Sequence, residues 1–167
     1  HFKAAIEETG IVVFEPTNDE ADDIIATLAQ KAANNQINNT IVSTDKGFLP
    51  HLNEQIEVYD YFKKQQLTQQ HIQERFGVAQ HKLIDFWALA GDKTNDIPGV
   101  KGIGVKSAQQ LVNQYNTLEE ALSDESLSAR LQKKLADDMD MFVISKQLVS
   151  LRTDIHLGFS LKQLRLN

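Results

Sequence analysis

Two groups of residues in this chain have the types and spacing to do chemistry. One is acidic: Glu20, Asp22 and Asp23 open a helical pattern in DEADDIIATLA, Asp45 follows an apolar run in IVSTDKG, and Asp92 and Asp96 bracket KTN. Carboxylates with no His or Cys interleaved are hard oxygen donors, and such a set suits Mg²⁺ or Mn²⁺. The plain alternative is that acids in a helix's first turn simply answer its positive dipole end. The other group is the loop GDKTNDIPGVKGIGVKSAQQLV, residues 91–112, which holds four of the chain's eight glycines. A phosphate is the ligand this loop would hold.

Three readings compete for the loop. A P-loop, G-x-x-x-x-G-K-[ST], places its second glycine correctly when counted from Gly99 to Gly104, but Val105 stands where the lysine belongs. A G-x-G-x-x-G fingerprint fails because Ser107 follows Gly102 and Gly104 at the third glycine position. A tight turn between helices would explain the glycines through positive φ, but not Lys106 and Ser107. A helix–hairpin–helix explains all of them. Val100 and Ile103 pack inward, while Gly102 and Gly104 let the backbone approach a phosphate. A helix from about Ser107 aims its free N–H groups at the same anion, with Lys106 adding charge. The expected DNA contacts are Gly102, Ile103, Gly104, Val105, Lys106 and Ser107, and they read the phosphate backbone rather than base sequence.

The elements that must position these groups follow from periodicity. HFKAAIEETG reads as the last turns of a helix stopped at Gly10, which makes the chain look like a piece of a longer one. IVVFEP (11–16) reads as a strand ended by Pro16. Residues 17–35 read as a helix with Thr17, Asn18 or Asp19 as N-cap and Ile24, Leu28 and Ala32 on one face. Strands are expected at 39–47 and 56–62, with FLPHL a short helix between them. Thr68 caps a helix to Phe76 that stops at Gly77. HKLIDFWALAGD (81–92) is helical, with Phe86 and Trp87 at core spacing, and 126–151 reads as further helix. Lys133, Lys134 and Lys146 read as a solvated face, and the tail after 151 as extended chain over the surface. Strands alternating with helices up to residue 62 predict a parallel sheet. Loops leaving its strand ends would gather Asp19, Glu20, Asp22, Asp23 and Asp45 at one edge.

Composition sets the bounds. The chain has 167 residues, 41% of them hydrophobic, and no cysteine, which excludes disulfides and thiolate metal sites. No apolar run is long enough to span a membrane, so the expectation is a cytoplasmic protein without membrane contact, acting as a monomer. The five histidines show no ligand spacing. The net charge of −6 is uneven: residues 1–96 carry 15 acidic and 8 basic side chains, residues 97–167 carry 8 and 9. The acidic part is the place for cations and the balanced part the place for a polyanion.

DEADDIIATLA, IVSTDKGFLPHL and LAGDKTNDIPGVKGIGVKSAQQLV, in this order and with LVSLRTDIHL near the end, resemble the 5′-nuclease (flap endonuclease) superfamily. That superfamily includes the N-terminal domain of bacterial DNA polymerase I, and the likeness is greatest to its short stand-alone bacterial form. It covers essentially the whole chain. It implies an α/β fold: a parallel-sheet, PIN-like nuclease core over 1–78, a three-helix version of helix–hairpin–helix over 79–151 and a tail, 152–167, packing back on the core. It also implies hydrolysis of 5′-flap DNA, or of duplex with a 5′ single strand, with Mg²⁺ or Mn²⁺. Asp22, Asp23 and Glu20 would be catalytic, and Asp22, Glu20, Asp45 and Asp92 would hold metal. Potassium would sit on the carbonyls of Leu89, Ala90, Pro98, Val100 and Ile103. Gly47 stands where polymerase-type members carry a second aspartate, Asn95-Asp96 inverts their order, and the family's first-strand aspartate and helical arch are missing. One divalent ion is therefore expected, a second only with DNA, and cleavage by this piece is expected to be weak or absent. A DNA-binding module without catalysis is the reading from the other class.

Overall fold

The computed structural model describes residues 2–15 and 18–165. Its sheet forms where side chains alternate. In β2 (Ile56–Asp60), Ile56, Val58 and Asp60 point inward while Glu57 is exposed. β1 (Asn39–Val42) pairs with it in parallel, Asn39 opposite Ile56 and Val42 opposite Tyr59. The short β3 (Gln65–Leu67) pairs antiparallel on its other side, Val58 opposite Leu67. The sheet is thus mixed, in the order β1-β2-β3. Asp60 Oδ1 accepts from Lys63 N at 3.0 Å and turns the chain back to form β3, a strand too short and polar to show in the sequence.

The expected strand over IVVFEP does not form. Residues 11–15 join no ladder among the described residues, and Phe14 instead stacks on Phe159 with ring centroids 4.0 Å apart. Pro16 and Thr17, the expected strand end and one expected N-cap, lie outside the described residues. Helix α1 (Phe2–Glu7) has no buried residue, whereas α2 (Ala21–Asn34) begins after Glu20 in extended conformation. α2 lays Ala26, Ala29 and Ala33 on Ile41, Phe48, Ile56 and Val58, and these form the core beneath the sheet. Small alanines let the helix approach the strands closely. A 3₁₀ turn, Lys46–His51, carries the chain from β1 toward β2.

The second core is helical. α3 (Gln69–Phe76) is capped by Thr68, whose side chain accepts from His71 N while the His71 ring returns to the Thr68 backbone, and it stops at left-handed Gly77. α4 (Leu83–Ala90) is hydrophobic nearly all round and buries Leu83, Phe86, Trp87, Ala88 and Leu89. Around it pack α5 (Val105–Gln114), α6 (Leu118–Ser123), α7 (Ala129–Asp137) and α8 (Met139–Val149). The run expected as continuous helix to 151 breaks at Asp138, with φ −134° and ψ 26°, because the Asp138 carboxylate turns to accept from Lys101 N at 2.7 Å. The tail does more than cover the surface. Ile155 is buried, and its N–H donates to Thr27 Oγ1 of α2 at 3.3 Å.

Candidate active site

The acids of α2 divide between two directions. Asp23 Oδ1 accepts from Arg152 N at 2.8 Å, and Asp19 faces the Arg152 guanidinium at 3.6 Å, so both are turned toward the tail. Glu20 and Asp22 instead line a cavity of about 360 Å³ together with Asp45 and Asp92. Asp45 follows β1 by three residues and caps the 3₁₀ turn, accepting from Gly47 N at 2.6 Å. Asp92 follows α4 and is held by a tight loop closed through backbone bonds between Asp92 and Ile97. Asp96, at φ 53°, is exposed at the loop's tip and does not line the cavity. Trp87, Leu148 and Leu151 contribute to the apolar wall, and Lys46 and Asn95 are further polar lining.

Electrostatics separate Asp22 from Asp92. Burial, then the charges of Asp45, Glu20 and Asp23, push the Asp22 carboxyl above its ordinary value. Burial pushes Asp92 up as well, but hydrogen bonds from Lys46 and Thr94 outweigh it and leave its carboxyl below the ordinary value. The Lys46 ammonium lies 2.7 Å from Asp92 Oδ2. Sequence reasoning missed Lys46, whose partner is distant in the chain. Glu20, Asp22 and Asp45 share one cavity, and carboxylate oxygens are hard donors, so these residues fit a hard divalent cation. Among the described residues, no three His, Asp or Glu side chains converge into a closed ligand cage. A hydrated ion that keeps several of its waters suits such an arrangement better than a bare one.

The glycine loop leads from the cavity to a helix N-terminus. Ile97, a cavity residue, opens the hairpin, and Val100 and Ile103 are buried as anchors. Val100 N donates to Leu89 O at 2.9 Å, and Ile103 N to Val100 O at 3.0 Å. Two of the five carbonyls expected to face potassium therefore already accept a backbone bond, which leaves each a second lone pair. Gly99, at φ +67°, passes so close to α4 that a Cβ there would lie 2.3 Å from Gly91 N. Gly104 is the extended N-cap of α5, which starts two residues earlier than expected. Ala108 N bonds Gly104 O, so the N–H groups of Val105, Lys106 and Ser107 precede the first intrahelical bond. No side chain among the described residues caps them, and open space lies within 4 Å of a Cβ built on Gly104. Ile103 offers only its backbone here, since its side chain is in the core. Lys134, expected on a solvated face, donates to the Gly102 carbonyl, and Lys146 pairs with Asp85 at 2.6 Å.

An acidic cavity at a strand end, continuous with a hairpin whose helix presents free N–H groups, is the arrangement of a phosphodiester-handling α/β protein. Comparison with known proteins makes this specific. A profile described as "5'-3' exonuclease, N-terminal resolvase-like domain" matches residues 1–77, and "5'-3' exonuclease, C-terminal SAM fold" matches 78–167. The chain belongs to the 5′-3′ exonuclease family. It is 76% identical over 166 residues to the flap endonuclease Xni of Pseudoalteromonas translucida, covering 99% of this chain and 65% of that one. It is 46% identical to the Xni of Colwellia psychrerythraea, covering 97% and 56%. The chain thus spans roughly three-fifths of the length of these relatives. Among solved structures, T5 5′-exonuclease with bound divalent zinc is similar with a TM-score of 0.76 at 20% identity, over 89% of this chain and 56% of that one. A bacteriophage T5 flap endonuclease complexed with DNA and metal ions gives 0.75 at 20%, over 90% and 56%. At these identities the likeness speaks for the fold.

Proposed function

We propose that this chain carries the metal-binding and DNA-binding parts of a structure-specific 5′-nuclease, a flap endonuclease hydrolysing phosphodiester bonds in 5′-flap DNA. One observation carries the reading: the cavity holding Glu20, Asp22, Asp45 and Asp92 also contains Ile97, from which the hairpin runs to the open N-terminus of α5. In this reading residues 1–78 supply Glu20, Asp22 and Asp45, residues 79–151 supply Asp92 and grip the DNA, and the tail from 152 braces the first part. The N–H groups of Val105, Lys106 and Ser107, with the Lys106 charge and Ser107 hydroxyl, hold one backbone phosphate and so fix the duplex relative to the cavity. Gly104 leaves room for that approach, whereas the space beside Gly102 is taken by the Lys134 side chain. Glu20, Asp22, Asp45 and Asp92 hold Mg²⁺ or Mn²⁺, which when bound provides Lewis-acid activation of the phosphodiester and of the attacking water. Asp23, which accepts from Arg152 N, ties the start of α2 to the tail. Potassium on the carbonyls of Leu89, Ala90, Pro98, Val100 and Ile103 would stiffen the hairpin, and a cytoplasmic monomer suits such work. The alternative is a DNA-binding module without catalysis, favoured by the absence, among the described residues, of a closed carboxylate cage.

The test combines cleavage and binding on one 5′-flap substrate. Lys106→Ala should weaken binding of every sequence about equally. Gly104→Val should weaken it further, because a side chain there stands in the phosphate's path. Unchanged binding by both variants overturns the hairpin assignment. Binding that persists with no Mg²⁺-dependent cleavage selects the module.

A further inference from the structure

The cation already present in the cavity is Lys46. Its side chain is 19% exposed and that of Asp92 7%, so the 2.7 Å pair is largely shielded from water. Asp92 is engaged by three protein donors: Oδ1 accepts from Thr94 N at 3.1 Å, and Oδ2 from Asn95 Nδ2 at 3.1 Å and from Lys46 Nζ, so Oδ2 has both its lone pairs occupied. The ammonium also lies 5.8 Å from the centre of the Trp87 ring, so carboxylate and indole hold it from two sides. Its backbone is fixed too, because Lys46 opens the 3₁₀ turn that Asp45 caps. A shielded ion pair contributes little net stability, since desolvation of both charges offsets their attraction. Stability therefore does not account for placing one here. Across the cavity, Glu20, Asp22 and Asp45 make no ion pair among the described residues; Arg75 lines an adjoining cavity with Asp22 and Asp45 without pairing with either.

We propose that Lys46 is a built-in counter-ion that occupies the cation position at Asp92, confining divalent metal in the DNA-free protein to the Glu20, Asp22 and Asp45 side. The inference rests on the cavity being a divalent-cation site, and it adds what limits the number of ions. A divalent ion at Asp92 must displace the ammonium or bear its repulsion at close range, and both oppose entry. Arginine would keep the positive charge, whereas methionine would fill similar space without it.

Metal-free protein titrated with Mn²⁺, with bound ion counted by calorimetry and by the electron paramagnetic resonance of free Mn²⁺, tests this without any cleavage readout. Wild type and Lys46→Arg should bind one ion. Lys46→Met should take up a second ion, or bind one at Asp92 about tenfold or more tightly, and Lys46→Met with Asp92→Asn should lose that gain. A gain of binding cannot arise from unfolding, and melting curves would show that each variant is folded. If Lys46→Met matches wild type in number and affinity, or the double variant keeps the gain, Lys46 has no such role while the cavity reading stands. If wild type binds no Mn²⁺, the cavity reading itself falls, and this inference with it.

Discussion

Asp22 sits in the first turn of α2, where the helix dipole favours a carboxylate, yet burial and the charges of Asp45, Glu20 and Asp23 push its carboxyl upward. A purely structural acid at a helix start would stabilise the fold. This one does the opposite in metal-free protein. With a folded value above the ordinary 3.8, the folded state holds the proton more tightly than the unfolded chain. Stability therefore falls as pH rises through the interval between the two values, and the loss is complete at neutral pH. Asp22→Asn should raise the melting temperature of metal-free protein at neutral pH by on the order of 1–3 °C. The gain should vanish below the ordinary carboxylate value. The same variant should lose the stabilisation that added Mn²⁺ gives wild type. A lower melting temperature for Asp22→Asn without metal would mean that the dipole outweighs the repulsion.

At the scale of elements, the two hairpin glycines at 99 and 104 answer to different demands. Gly99 has positive φ and lies against the Gly91 backbone, so Gly99→Ala should destabilise by about 2–4 kcal/mol, read from denaturant melts. Gly104 has extended geometry and open space, so Gly104→Ala should be nearly neutral for stability. Such local requirements are why the hairpin was readable in sequence, along with the Thr68 cap, the Gly77 stop and the alternation in β2. Elements fixed by distant partners were not readable. An apolar run such as IVVF satisfies every strand preference and still needs a neighbour to pair with, which residues 11–15 lack among the described residues. The helix break at Asp138 depends on Lys101, and β3 on a turn set by Asp60. Strand-end reasoning grouped Asp19, Glu20, Asp22, Asp23 and Asp45, of which Glu20, Asp22 and Asp45 line the cavity, and the resemblance added Asp92. The Arg152 contacts that turn Asp19 and Asp23 away, and the Lys46–Asp92 pair, join residues too far apart in sequence for any local pattern to show.

Across the whole molecule the charge is segregated, with −7 on residues 1–96 and +1 on residues 97–167. Duplex DNA would meet favourable charge only at the hairpin and repulsion from the acidic part. With the one phosphate held at the hairpin, log affinity should fall against log salt with a slope of about −1. Saturating Mn²⁺ at constant ionic strength should strengthen binding by reducing the repulsion. A slope near zero, or affinity indifferent to Mn²⁺, would place the DNA elsewhere.

The contact between Arg152 and the start of α2 has a consequence for how the protein is made. Asp23 and Arg152 are 129 residues apart, and Thr27 and Ile155 are 128 apart. Each link closes a long loop, and contacts of such span form late because the entropy of closure must be met first. As the chain leaves the ribosome, β1, β2 and the hairpin helices can assemble from near neighbours. The acidic face of α2 cannot reach its final setting until residues 152–155 emerge. The hairpin of a nascent chain would therefore be formed before its carboxylates are locked in place.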